Sequence, residues 1–273
     1  MVDMVRFDTA TAVTPLGAGR YSADLDPGYL IGHAMNGGYL MAVLQRAALL
    51  ESPHPHAVSS SFHFLRPAGA GPAEIDATLL RSGRTVATVQ VTIGQDGRTL
   101  VTATIATATL APGADPDYEA PPAAVPPIDR CRRYDPRAAG KGASGFAGRV
   151  DAYYAPATWA RLRRTDATAA PEPELLGHIG LSEADGGPGA DPCLVLPLAV
   201  DALPPVISVF DNWRWAPTVE LTWHMRAVPE PGPLSFRSRA EALVDGWFDE
   251  SVDLWDVKGR LVAQSRQLAR CGR

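Results

Sequence analysis

Residues 36–51 read NGGYLMAVLQRAALLE, and this stretch decides the fold class. Residues 39–51 contain no glycine or proline and are mostly leucine, alanine, methionine and glutamine, which are strong helix formers. Apolar side chains recur on almost every side of the predicted helix, a distribution typical of a helix that is buried. The pair Ser52-Pro53 ends the helix.

The sequence after this helix alternates between apolar and polar residues, as β-strands do. The alternation predicts strands at residues 59–65, 73–81, 85–93 and 99–110, with a hairpin turn at 95–98. Two further short strands are predicted within residues 7–26. The first 110 residues therefore predict one buried helix and an antiparallel sheet of five or six strands.

The C-terminal part of the chain repeats landmarks of the first part. His63 and His224 are each followed, eight residues later, by a Gly-Pro pair. A Gly-Arg turn lies 34 residues after His63, at Gly97, and 35 residues after His224, at Gly259. Each turn leads into a strand pattern. Landmarks that stay in register this far predict two copies of one unit of about 110 residues.

These patterns predict four regions. We expect an N-terminal unit at residues 1–110, a linker at 111–127, a connecting segment without a clear pattern at 128–192, and a C-terminal unit core at 193–273 that carries the site. The linker holds six prolines and few large apolar residues, so it should run over the surface.

Composition excludes several classes of protein. Among the 273 residues the net charge is −5 and there is no basic run, which argues against nucleic-acid binding. The three cysteines form no CxxC pair, so neither a disulfide framework nor a zinc site is expected. The first nine residues hold no apolar run, and no stretch has the roughly 18 apolar residues that a membrane helix needs. We expect a cytoplasmic protein without a membrane partner.

Two motifs resemble the acyl-CoA thioesterase II family. The sequence NGG at 36–38 enters the apolar helix and SFHFLRP follows at 61–67, which looks like the first half of that family. The sequence GRLVAQSRQL at 259–268 looks like the closing strand of the family. The resemblance implies an α+β fold, the double hotdog, in which two antiparallel sheets each wrap around a central helix.

The resemblance also implies the reaction and its residues. The family hydrolyses acyl-CoA thioesters with an Asp, a Ser or Thr, and a Gln that together hold the attacking water. The matching residues here are Asp201 in AVDALP (199–204), Thr218 in TVE (218–220) and Gln267 on the last strand. Asp201 and Thr218 are only 17 residues apart, which is short for the family, so the second helix should be abbreviated.

These residue types suit the chemistry of a thioester. Asp201 can accept a proton from water, and Thr218 and Gln267 can position that water by hydrogen bonds. The sequence has no GxSxG motif and no cysteine in a suggestive setting, so it indicates no covalent nucleophile. The reaction requires neither a metal nor a cofactor.

The start of the predicted helix supplies candidate substrate-binding residues, Asn36, Gly37 and Gly38. Backbone amides at a helix N-terminus can polarise a thioester carbonyl, and glycines allow a substrate to approach the backbone. In the alternative interpretation Asn36 only caps the helix and the glycines only allow close packing of the helix on the sheet.

Alignment of the two halves of the internal repeat shows that they differ at the candidate residues. Ala57 occupies the position equivalent to Thr218, and Ile105 the position equivalent to Gln267. Loss of one site after duplication explains this asymmetry. His63 and His224 occupy equivalent positions in the two units, which favours a structural role for both.

Two alternatives remain open at this stage. The chain could bind acyl thioesters without hydrolysing them, although such a protein needs none of the three candidate residues. It could also be a hotdog enoyl-CoA hydratase, but that chemistry needs an Asp and His pair, and no His follows Asp201 within twenty residues. Exposed sheet edges further predict a homodimer.

Overall fold

The computed structural model describes residues 6–136, 145–163, 172–210 and 215–272. The first unit contains two helices and eight strands: α1 Arg6–Ala10, β1 Thr14–Gly17, β2 Arg20–Leu25, β3 Leu30–Ile31, β4 Ala34–Met35, α2 Gly37–Leu50, β5 His56–Phe64, β6 Gly71–Arg81, β7 Ala87–Gln95 and β8 Arg98–Ala108. The rest of the described chain contains β9 Arg132–Arg133, β10 Val150–Tyr154, α3 Pro156–Arg163, β11 Glu174–Leu181, α4 Pro192–Ala199, β12 Thr218–Met225, β13 Leu234–Arg239, β14 Leu243–Val244, β15 Trp247–Trp255 and β16 Leu261–Arg270.

The first unit wraps an antiparallel sheet around α2. Its strands lie in the order β1-β2-β6-β7-β8-β5, and α2 packs against β5, β6, β7 and β8. Side chains of α2 are buried along almost its whole length, as its apolar sequence predicts. The hairpin between β7 and β8 turns at Asp96 and Gly97, and both residues have positive φ, as the favoured two-residue hairpin turn requires.

The second unit repeats this order from the other end of the same sheet. Strands β12-β16-β15-β13-β11 correspond to β5-β8-β7-β6-β2, and β5 pairs with β12 to join the two units into one fourteen-stranded sheet. The pairing places Ser61 opposite Thr222 and His63 opposite Glu220, so an approximate two-fold axis passes between the central strands. The predicted α+β double hotdog is confirmed.

The second helix is short, as expected, but it ends before Asp201, so the interval between Asp201 and Thr218 does not determine its length. Helix α4 has 8 residues and α2 has 14. Asp191 caps its start and Pro192 occupies its first turn, while Pro197 lies inside it. The two helices pack against each other within the curved sheet.

The described parts of the segment at 128–192 belong to the sheet of the second unit, so strands of that unit lie before the predicted residue 193. These parts supply β9, β10 and β11, which continue the sheet beyond β13 in the order β13-β11-β10-β9. The strand pattern of the segment is weak because Gly177 stands at an inward position. A Cβ atom there would lie 2.0 Å from the Tyr153 carbonyl oxygen, so only glycine fits this close strand pairing.

The linker at 111–127 forms neither helix nor strand. Its first eight residues are exposed, and Glu119 accepts a hydrogen bond from the backbone N–H of Leu261. Among the described residues, no helix is long and apolar enough to cross a bilayer.

Candidate active site

Asp201 lies at the N-terminus of α2, where the two units meet. Its Oδ2 atom accepts hydrogen bonds from the backbone N–H of Gly38 at 2.7 Å and from Asn36 Nδ2 at 3.1 Å. Asn36 Nδ2 also donates to the Asp201 backbone carbonyl at 3.1 Å, and Asn36 Oδ1 caps α2 by accepting the Tyr39 N–H. The partial positive charge of a helix N-terminus stabilises a carboxylate in this position.

The two glycines at the start of α2 allow close approach of different groups. A Cβ atom on Gly38 would lie 2.7 Å from the Pro197 carbonyl oxygen and 2.8 Å from that of Leu198, so Gly38 allows α2 to pack on α4. A Cβ atom on Gly37 would lie 2.9 Å from Asp201 Oδ2 and 3.0 Å from a ring carbon of Phe64. Gly38 therefore allows close packing between two helices, and Gly37 allows close packing of α2 on β5 of the sheet. Polarisation of a substrate carbonyl by these amides remains a prediction.

The environment of Asp201 changes its acidity. Burial raises the pKa of Asp201 to about 6, while the hydrogen bonds from Gly38, Asn36 and Gly37 act in the opposite direction by stabilising the charged form. The hydrogen bonds from Asn36 Nδ2 and from the Gly38 N–H are both accepted by the same carboxylate oxygen, Oδ2. A carboxylate with this pKa is ionised at neutral pH and is a better proton acceptor than an ordinary aspartate.

Thr218 and Gln267 are in direct contact on the inner face of the second sheet. The Thr218 hydroxyl donates a hydrogen bond to Gln267 Oε1 at 2.6 Å. A β-bulge at Val219 makes this possible, because the extra residue turns Thr218 to the same face as Leu221 and Gln267. The same bulge occurs in the first unit, between Ala57 and Ser59.

Glu250 is a fourth polar residue of this site, and the sequence analysis missed it. It lies on β15 directly opposite Gln267, is only 3% exposed, and accepts the Val206 N–H on Oε2 at 2.7 Å. The pKa of Glu250 is raised to about 7, chiefly by burial and in part by the charge of Asp201, while Val206, Ser238 and Gln267 act in the opposite direction by stabilising the charged form.

Comparison with known families decides the identity of the fold and its chemistry. Residues 25–111 match the acyl-CoA thioesterase N-terminal domain, and residues 114–271 match the acyl-CoA thioesterase C-terminal domain. The chain belongs to the acyl-CoA thioesterase family. The resemblance predicted from the two end motifs is confirmed, and the chain is a thioester hydrolase.

Three similar proteins come from bacteria. A crystal structure from Thermobifida fusca, solved as a candidate thioesterase II, is 60% identical over 100% of both chains, with a TM-score of 0.93. A protein of unknown function with a hot dog fold from Alicyclobacillus acidocaldarius is 20% identical over 98% of both chains, with a TM-score of 0.80. An uncharacterised Mycobacterium tuberculosis protein is 28% identical over 312 residues, covering 96% of this chain and 97% of its own.

The thioesterase brings its candidate residues together as two groups. Thr218 and Gln267 form one group through their hydrogen bond, and Asp201 forms the other with Asn36 and Gly38. Glu250 is related to both groups, since it lies opposite Gln267 in the sheet and the charge of Asp201 raises its pKa. The sequence does contain a signal for Glu250, because it occupies an inward position between Phe248 and Val252 on an otherwise apolar strand face.

The three histidines discussed for the thioesterase belong to neither group. His63 and His224 are exposed on the outer face of the central strands, at positions that the strand pairing makes equivalent. His33 is exposed and stacks on Trp215, with 5.9 Å between ring centroids. None of the three is hydrogen-bonded to Asp201, Thr218, Glu250 or Gln267.

Proposed function

We propose that this protein hydrolyses acyl-CoA thioesters by direct attack of a water molecule held between Asp201 and the Thr218–Gln267 pair. The observation that carries the proposal is the hydrogen bond between Thr218 and Gln267 on the sheet, combined with a partly buried carboxylate at the N-terminus of α2. One group supplies a proton acceptor and the other supplies hydrogen-bonding groups that hold a water without being consumed.

Asp201 acts as the general base in this mechanism. Its carboxylate takes a proton from the water while the water oxygen forms a bond to the thioester carbonyl carbon. The negative charge that develops on the carbonyl oxygen needs hydrogen-bond donors. The Gly38 N–H already donates to Asp201, so it stabilises the base rather than this oxygen.

The tetrahedral intermediate then collapses with cleavage of the carbon–sulfur bond. The sulfur leaves with the bonding electrons, and protonated Asp201 returns its proton to the thiolate. The products are the free acid and CoA, and Asp201 is again ionised. No protein atom forms a covalent bond to the substrate in this scheme, in agreement with a site built from carboxylate, hydroxyl and amide groups.

Thiol release measures this activity directly. The purified protein is mixed with a panel of acyl-CoAs of different chain length, and free CoA is followed with a thiol-reactive dye. We expect release that depends on Asp201. Tight binding of acyl-CoA without release would contradict hydrolysis and would favour the non-catalytic binding alternative. The same panel with carrier-protein thioesters tests whether CoA is the preferred donor.

The homodimer and the cytoplasmic location also belong to this proposal. Among the described residues, strands β1 and β9 form the two ends of the sheet, so each offers an edge that a second chain can cover. Light scattering of the purified protein, which gives the mass of the particle in solution, tests the dimer.

A further inference from the structure

Glu250 is held firmly in the sheet at a place where the fold itself needs no acid. Its Oε2 atom accepts the N–H of Val206, the first residue of a short 3-10 helix, Val206–Val209. Strand pairing places it opposite Gln267, and the buried Ser238 hydroxyl lies diagonally across on β13. Ser238 Oγ has no hydrogen-bond partner among the described residues, although it stands close enough to stabilise the charged form of Glu250.

The first unit shows that this carboxylate is not a requirement of the sheet. The register places Val89 opposite Ile105 in the first unit, as Glu250 lies opposite Gln267 in the second. Val89 and Ile105 are both completely buried. An apolar residue therefore fills this position in the same fold, while a buried acid costs free energy unless its hydrogen bonds compensate.

The orientation of the Gln267 amide depends on its two neighbours. Because the Thr218 hydroxyl donates to Gln267 Oε1, the amide nitrogen is directed away from Thr218. A carboxylate can only accept hydrogen bonds, so ionised Glu250 favours the orientation that presents Nε2 to it. A protonated acid can donate instead, and it then allows the amide to turn over.

We propose that Glu250 is a positioning residue that acts as a carboxylate to fix the orientation of the Gln267 amide toward the attacking water. The inference rests on the proposed function and deepens it. Glu250 itself touches no reacting atom in this scheme. The Val206 N–H holds its carboxylate in place, and the second N–H of Gln267 remains free to bind the water.

This role makes the activity depend on the charge of Glu250. The groups that face it are Asp201 from the segment after α4, Ser238 from β13 and Gln267 from β16. Within the described residues, Asp201 is the charged group that acts on it, and no cation compensates it. Two neighbouring acids with raised pKa values, about 6 for Asp201 and about 7 for Glu250, should both shape the rise of turnover with pH.

Glu250→Gln tests the inference through the pH dependence of kcat. We expect kcat for acyl-CoA to fall roughly tenfold, since a neutral acceptor replaces a charge-assisted one, with KM little changed. The rising limb of the pH profile should move about one pH unit lower, because only Asp201 then titrates in this range. Asp249→Asn is the matched control, because it removes an outward-facing carboxylate from the same strand, and it should keep the parental profile.

Several outcomes would overturn the inference. A Glu250→Gln variant with the parental pH limb contradicts it, because a residue with only a structural role lowers the rate without moving the limb. If this variant does not fold, the pH profile of kcat for the parent protein still tests the inference. A rising limb that shows a single ionisation near pH 6 would exclude a contribution from Glu250. In a variant that already carries Gln267→Ala, the further substitution Glu250→Gln should lower kcat much less than it does in the parent protein. A parent that releases no thiol from any acyl-CoA overturns the proposed function as well.

Discussion

The two units of this thioesterase share their strand order, register and bulge, but they differ along one row of inward-facing side chains. In the first unit the row consists of Ala57, Ile105, Val89 and Ala77, all buried. In the second unit the equivalent positions hold Thr218, Gln267, Glu250 and Ser238. The same backbone therefore carries an apolar row in one copy and a polar row in the other.

This difference separates what the fold needs from what the chemistry needs. Since the apolar row completes the first unit, the polar row of the second unit is not required to close a sheet around a helix. The first unit contributes to the site in another way, because the N-terminus of α2 binds Asp201 through Asn36 and Gly38. The site is thus shared, with a helix end from one unit and a sheet surface from the other.

The largest expected effect follows from replacing the proton acceptor. Asp201→Asn keeps the size of the side chain and can still accept the Gly38 N–H, but it removes the base. We expect turnover to fall by on the order of 10²–10⁴, with KM for acyl-CoA little changed. Steady-state thiol release measures both constants. If the variant hydrolyses acyl-CoA at the parental rate, another residue is the general base. That result would contradict the division of roles between the two units.

Substitutions at equivalent positions of the two rows give the sharpest comparison. Gln267→Ala removes a group that positions water but leaves the base, so we expect a smaller loss of turnover, roughly 10- to 100-fold. Ile105→Val is the control in the first unit, and it should change stability by about 0.5–1.5 kcal/mol without changing kcat or KM. Equal kinetic effects of the two substitutions would mean that both rows contact substrate.

Much of the scaffold could be predicted from sequence because its signals are local. The composition of residues 39–51 specified α2, and Asp96-Gly97 specified the hairpin turn. The β10–β11 pair was missed because Gly177 interrupts the apolar alternation that identifies a strand. Local sequence could not show this close pairing.

The candidate site was only partly predictable for a related reason. Asp201, Thr218 and Gln267 came from motifs, whereas Glu250 belongs to no motif and became visible only through strand pairing. The hydrogen bonds of Asp201 to Asn36 and Gly38 join residues more than 160 positions apart, so they depend on how the two units assemble.

The raised pKa of Asp201 should reduce stability at high pH. Because the folded pKa of Asp201 is about 6, above its usual value of 3.8, its contribution to stability is complete in acid and is lost as pH rises through 6. Asp201→Asn should therefore be more stable than the parent at pH 8, by at most about 3 kcal/mol, with the difference vanishing near pH 4. Chemical denaturation at both pH values tests this, and a variant less stable at pH 8 would contradict it.

The smallest effect is expected in the linker that joins the units. Deletion of residues 113–115 removes exposed chain but keeps both anchors, the Leu110 N–H bonded to His56 and the Glu119 carboxylate bonded to the Leu261 N–H. Gln267 lies six residues along β16 from Leu261, roughly 20 Å at the usual rise of a strand, so the deletion should not reach the site. We expect kcat within about twofold of the parent and a stability change below about 1 kcal/mol, since shortening an exposed loop alters chain entropy only slightly. Thiol release and thermal unfolding are measured on the same preparation. A folded deletion variant with a deep loss of turnover would show that the linker takes part in catalysis, and the chemistry could then no longer be assigned to the two units alone.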